Sequence, residues 1–175
     1  MQISLLETAT TDGRTDQINV PFEMDAIAHG GNTYPVLGQP MIKVRLENVG
    51  KKVIDIYADT EVKVSIPCDR CLTPTQVIIP VHAFQRLDTR QDAAERIADL
   101  DECAFVTGMD LDPDLFVYFE LLMNWPDKIL CRQDCLGLCS RCGKNLNEGS
   151  CDCADEPKDP RMAAISDIFK KYKEV

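Results

Sequence analysis

Met41-Ile42-Lys43-Val44-Arg45-Leu46 and, further on, Glu61-Val62-Lys63-Val64-Ser65-Ile66 alternate apolar and polar residues. Side chains of an extended strand point to opposite faces in turn, so Ile42, Val44 and Leu46, then Val62, Val64 and Ile66, fall on one apolar face. A further run, from Val77-Ile78-Ile79 to Phe84, has the β-branched and aromatic content of a strand. Three antiparallel strands are expected between Met41 and Leu87. Asn48-Val49-Gly50-Lys51 is expected to turn between the first two, and Pro67-Cys68-Asp69-Arg70-Cys71 between the second and third.

On the N-terminal side, short apolar runs such as Ile18-Asn19-Val20 and Ile27-Ala28 alternate with turn formers including Gly30-Gly31-Asn32, which reads as strands and loops. On the C-terminal side, residues 91–100 have helical composition. Asp112-Pro113-Asp114 marks a helix start, with Asp112 as the cap, Pro113 in the first turn and Asp114 facing the positive helix end. Leu115, Tyr118, Phe119 and Leu122 then form a stripe at helical spacing, and Pro126 stops it. Asp159-Pro160 repeats the start before Met162, Ile165, Ile168, Phe169 and Tyr172. That last helix is amphipathic, carries Lys170, Lys171 and Lys173 at its negative end, and is expected to dock by its apolar face.

The 175 residues are enough for one ordinary core and a small appendage, and a hydrophobic share of 45% with 27% charged residues is that of a folded globular chain. No basic region opens the chain and no run reaches the ~20 apolar residues of a membrane span, so a cytoplasmic protein with no membrane partner is expected. Nine cysteines in a reducing compartment point to metal before disulfides. The net charge of -10 is uneven: residues 88–128 hold eleven acidic and three basic residues, whereas from Cys131 onward eight of each balance. Such a field repels phosphate backbones and attracts basic proteins.

Cys139-Ser140-Arg141-Cys142-Gly143, followed by Cys151-Asp152-Cys153, carries the most specific signal. Thiolates two residues apart can both reach one zinc ion at ~2.3 Å, and Gly143 permits the positive φ that turns backbone N–H groups toward sulfur. Asn145, Asn147 and Gly149 suit the connecting loop. Cys139, Cys142, Cys151 and Cys153 form the first expected zinc site. Cys68 with Cys71, at the hairpin tip, and Cys131 with Cys135, leading into the ribbon, form a possible second one that would tie ribbon to sheet. The rival for Cys68 and Cys71 is a redox dithiol, which needs a thiol at a helix N-terminus, and a hairpin tip offers none. Cys103, beside Ala104-Phe105-Val106, reads as a buried small hydrophobe. His29 and His82 lie far from both clusters, and His82 reads as a packing residue in a strand. No nucleophile, phosphate or dinucleotide motif is present, so neither catalysis nor a small-molecule substrate is expected.

The expected fold class is α+β: an antiparallel β-sheet core with a few helices over residues 1–130, a zinc-ribbon-like segment over 131–157 and the amphipathic helix over 158–175. Val64-Ser65-Ile66-Pro67-Cys68-Asp69-Arg70-Cys71-Leu72, then Leu130-Cys131 and the run from Asp134 to Asn147, then Cys151-Asp152-Cys153 and Asp159-Pro160-Arg161, resemble the YceD family of large ribosomal RNA subunit accumulation proteins. The family more often has Lys and Pro where Leu136 and Ser140 stand, and neither position is a ligand. The resemblance implies a role in ribosome biogenesis, in accumulation of the large-subunit (23S) rRNA. Combined with the acidic field, it leads us to expect contact with a basic large-subunit ribosomal protein or assembly factor. The alternative is direct rRNA binding through Arg132, Arg141, Lys144 and Arg161 around the ribbon. A thiol redox protein is the third class.

Overall fold

The computed structural model describes residues 1–91, 95 and 103–153. The helix expected over 91–100 lies, apart from Gln91 and Glu95, outside the described residues, as do the whole C-terminal helix and Arg161.

Among the described residues three long strands dominate: β5 (Met41–Gly50), β6 (Val53–Pro67) and β7 (Pro74–Asp88). All pair antiparallel, and β2 (Thr15–Pro21) joins the free edge of β5, giving the order β2-β5-β6-β7. The alternation is realised as read: Ile42, Val44, Leu46, Val62, Val64 and Ile66 are all buried on one face, together with Ile54, Ile56, Ile79, Val81 and Leu87. The first turn differs from the expectation. Gly50 pairs with Val53, so Lys51 and Lys52 form the loop, both at positive φ (55° and 63°). Asn48 and Gly50 are taken up instead by a register shift in β5, where the Asn48 side chain accepts from the Gly50 amide at 2.8 Å and donates to the Thr8 carbonyl at 2.7 Å.

Helices and short strands cover the apolar face. α1 (Leu6–Thr10) lies over β5 and β6, and α2 (Pro113–Met123) crosses β7 and β6. The hairpin of β3 (Ala26–His29) and β4 (Asn32–Pro35) packs on β6, with Ile27 fully buried. β1 (Ile3–Ser4), β8 (Val106–Thr107) and β9 (Asp110–Leu111) make a small antiparallel sheet leading into α2. Cys103 is buried in this core, as expected. Asp112 caps α2, accepting from the Leu115 amide at 3.0 Å. The buried face of α2 is not the expected stripe: Phe116, Val117 and Leu121 are buried, Leu115, Tyr118 and Leu122 are half-buried, and Phe119 is 40% exposed. The helix is apolar nearly all round, so several stripes fit the same spacing and tertiary packing selects one. It also ends at Met123 with Asn124 as cap, before Pro126 is reached.

The outward face of the sheet mixes cross-strand polar pairs with exposed Ile78 and Phe84, the latter against Tyr57. His82 is exposed there, with Nδ1 2.7 Å from an Asp59 carboxylate oxygen, and is not the packing residue expected. Opposite each other on β6 and β7, Asp55 accepts two bonds at 2.7 Å from the Arg86 guanidinium. Those bonds hold the Asp55 carboxyl below its ordinary range despite burial, which pushes the other way. A lowered folded-state value means stability that is present above the unfolded carboxylate range and lost as pH falls through the folded value. Asp55→Asn is expected to flatten the loss of urea stability between about pH 5 and about pH 2, while lowering stability at neutral pH.

Candidate metal centres

The β6–β7 hairpin closes through residues 68–73. The Cys68 amide donates to the Thr73 carbonyl at 2.9 Å and the Leu72 amide to the Cys68 carbonyl at 2.9 Å, with Leu72 at φ 60°. This tight knuckle buries the Cys68 and Cys71 sulfurs at the end of the sheet. Asp69, at its corner, then captures the incoming chain: its amide donates to the Ile129 carbonyl at 2.8 Å and its carboxylate accepts from the Ile129 amide at 2.6 Å. Two residues later Cys131 arrives. Arg70 fixes the following turn, donating to the Cys135 carbonyl at 2.8 Å and accepting from the Leu138 amide at 3.1 Å. Gly137 makes that approach possible, since it sits at φ 79° and a Cβ there would lie 3.1 Å from the Arg70 carbonyl oxygen.

The result is one four-sulfur group. Cys68 and Cys135 sulfurs lie 3.8 Å apart, Cys71 and Cys131 sulfurs 3.5 Å, and all four fall within 4.8 Å of one another. Sulfurs ~2.3 Å from a tetrahedral ion are separated by about 3.8 Å, whereas a disulfide needs about 2.05 Å. The donor set therefore fits a soft divalent ion.

Cys139, Cys142, Cys151 and Cys153 make the second group, also within 4.8 Å. Its knuckle repeats the first: the Gly143 amide donates to the Cys139 carbonyl at 2.9 Å, the Cys139 amide to the Lys144 carbonyl at 2.8 Å, and Gly143 stands at φ 74° as its type suggested. This group is more open: none of its cysteines is buried, whereas Cys68, Cys71 and Cys135 of the first group are.

Charge favours a cation in both groups. Burial pushes the Cys68 thiol up, but amide donors of Cys131, Arg70 and Cys71 outweigh it and bring it to about 6. Amides of Cys142 and Arg141 likewise lower Cys139 to about 6. Desolvation and the neighbouring Cys71, Cys135 and Cys68 thiols push Cys131 up to about 12, and the Cys142 thiol foremost pushes Cys153 to about 12. Each group thus sets at least one thiol that ionises readily, Cys68 and Cys71 in the first and Cys139 in the second, against another held back by its neighbours. A dication removes the conflict.

Asn147 links the two groups, a role that turn chemistry alone did not suggest. Its side-chain amide donates to the Cys135 sulfur at 3.3 Å, and its oxygen accepts from the Leu136 amide and the Arg132 guanidinium, both at 2.8 Å. The contact joins the loop of one group to a ligand of the other, so no local spacing announces it. Neither His29 nor His82 belongs to either group. Arg132, Arg141 and Lys144 are exposed on the ribbon, Arg132 also facing Asp134 at 3.4 Å and Lys144 donating to the Ser150 carbonyl at 2.6 Å.

Residues 56–169, a span that includes all eight clustered cysteines, match the family described as Large ribosomal RNA subunit accumulation protein YceD. The chain belongs to the YceD family. Among curated relatives, YceD homolog 1 of Arabidopsis thaliana, named a chloroplastic large ribosomal RNA subunit accumulation protein, is 33% identical over 161 residues, covering 75% of this chain and 46% of the relative. An uncharacterized protein of Mycobacterium bovis is 25% identical over 134 residues, covering 73% of this chain and 61% of the relative, and one of Mycobacterium tuberculosis matches to the same extent. The chain thus spans roughly half to three-fifths of these relatives. No solved structure matches. No helix among the described residues is long and apolar enough to cross a membrane.

Proposed function

We propose that this YceD-family chain is a non-enzymatic zinc-binding factor that assists large ribosomal subunit assembly and accumulation of its large rRNA by holding a basic ribosomal protein or assembly factor. The observation that carries the reading is the gathering of eight cysteines into two closed four-sulfur groups, one of which fastens the ribbon to the tip of the β6–β7 hairpin. Four sulfurs complete a tetrahedral zinc shell and leave no open position for substrate or water, which is the form of a structural site. The family description supplies the ribosomal context, and the net charge of -10 favours a basic protein over bare RNA. The working compartment is the one in which the ribosome is built, with cytoplasm as our assignment.

Direct rRNA contact through Arg132, Arg141, Lys144 and Arg161 is the second reading, supported by the exposure of the first three on one ribbon. Affinity purification of the full chain from growing cells, with and without nuclease and with metal analysis of the eluate, separates the two. Co-purifying large-subunit proteins that survive nuclease, and about two zinc ions per chain, are expected. Partners that vanish with the RNA would favour the second reading, and an eluate without ribosomal components would sink both.

A further inference from the structure

Between α2 and Cys131 the chain borders a groove of about 500 Å³. Rings line it: Trp125 stacks on His29 with centroids 4.6 Å apart and planes at 26°, and Tyr34 lies 5.2 Å from the same indole. Asp69 and Asp127 line it as well, whereas neither lysine nor arginine is among the lining residues. Asp127 is exposed and has no hydrogen-bond or ion-pair partner among the described residues. α2 also ends here, with Leu122 and Met123 on the wall, and its last turn carries no basic residue to offset the negative carbonyl end. Met123 is 82% exposed, the most of any large hydrophobic among the described residues.

Ring faces, carboxylates and helix carbonyls each attract a cation, and in this groove they converge. A phosphate backbone would meet the opposite field. Aromatic anchors beside an adaptable methionine are also the composition of protein-docking sites. We propose that the groove receives an arginine- or lysine-bearing segment of a basic partner protein, its cationic head against Trp125 and Tyr34 and its charge facing Asp127. This rests on the reading that the partner is a basic protein, and it assigns that partner a place. The first cysteine group then supports the groove as well. Asp69 belongs to the Cys68–Cys71 knuckle and is hydrogen-bonded to Ile129, so an ion held there fixes one wall of the groove against α2.

Trp125 is the only tryptophan of the chain, so its emission reports on the groove directly. Titrating the zinc-loaded full chain with an acetylated Gly-Arg-Gly-Arg-Gly amide peptide should change that emission saturably, and added salt should weaken the binding. Asp127→Asn, which keeps the side-chain shape, should weaken the peptide about two- to fivefold. Trp125→Leu, followed by the anisotropy of a dye-labelled copy of the peptide, should weaken it about five- to thirtyfold. Unchanged affinity in both variants, each folded by circular dichroism, would overturn the groove. So would a saturable emission change with a single-stranded oligoribonucleotide and none with the peptide. If the peptide binds as stated but purified chain brings down no ribosomal component, the groove stands and the assembly reading falls. If ribosomal proteins co-purify equally with Asp127→Asn, Trp125→Leu and the unchanged chain, the groove falls and the assembly reading stands.

Discussion

With zinc held in both four-sulfur groups as proposed above, Cys135→Ser should cost one bound ion and lower the thermal midpoint, whereas Cys142→Ser should cost the other ion and leave the unfolding of the sheet nearly unchanged. The difference follows from where each group sits. Cys135 is buried, lies 3.8 Å from Cys68 at the end of β6, and is held by Arg70 on one side and Asn147 on the other. Loss of its sulfur would leave three thiols for an ion and weaken the link between ribbon and hairpin to the Arg70 and Asp69 hydrogen bonds. Structural zinc contributes on the order of 10 kcal/mol to the folding of isolated zinc peptides, so a site missing a ligand is expected to empty under mild chelation. Cys142 is exposed, and its group closes only the ribbon's own loops. Native mass spectrometry for ion count, beside thermal scans with and without chelator, reads both effects. A full complement of two ions in Cys135→Ser would refute the four-sulfur assignment.

Leu121→Ala should destabilise the fold by about 2–5 kcal/mol, the range for truncating a fully buried leucine. Phe119→Ala, two residues away on the same helix, should cost about 1 kcal/mol or less. Leu121 is wholly buried where α2 crosses the sheet, while Phe119 is 40% exposed and its ring lies 6.0 Å from that of Tyr118 and 6.5 Å from that of Phe105, centroid to centroid. Urea denaturation of the two variants compares them, and a larger loss for Phe119→Ala would show that the helix packs on the other stripe. Because α2 also carries Met123 at the rim of the Trp125 groove, loosening it should dampen the emission response to the arginine peptide.

The sheet was legible because a half-buried strand writes its burial into alternate residues, and Ile42, Val44, Leu46, Val62, Val64 and Ile66 did so without interruption. The Asp112 cap was legible for a similar reason, since the orphan amides at a helix start need a short acceptor at one position. The α2 stripe was not, because Leu115 to Met123 is almost continuously apolar and spacing then fits several faces equally. The first hairpin turn was misplaced because Gly50 reads as a turn glycine but serves a bulge, leaving two lysines to adopt positive φ.

By itself the sequence determined the strand faces, the α2 start and the identity of the eight metal-binding candidates, because these depend on residue type at short spacing. Only the tertiary structure decided that Cys68 and Cys71 meet Cys131 and Cys135, that Asn147 joins the two groups, and that His29, Tyr34, Trp125 and Asp127 border one groove. The cysteine and asparagine contacts join residues 12 to 67 positions apart, and the groove sets His29 and Tyr34 beside Trp125 and Asp127 from far along the chain. Their closure is set by the packing of the sheet against α2 and by the reach of the Asp69 and Arg70 hydrogen bonds, which no local pattern encodes.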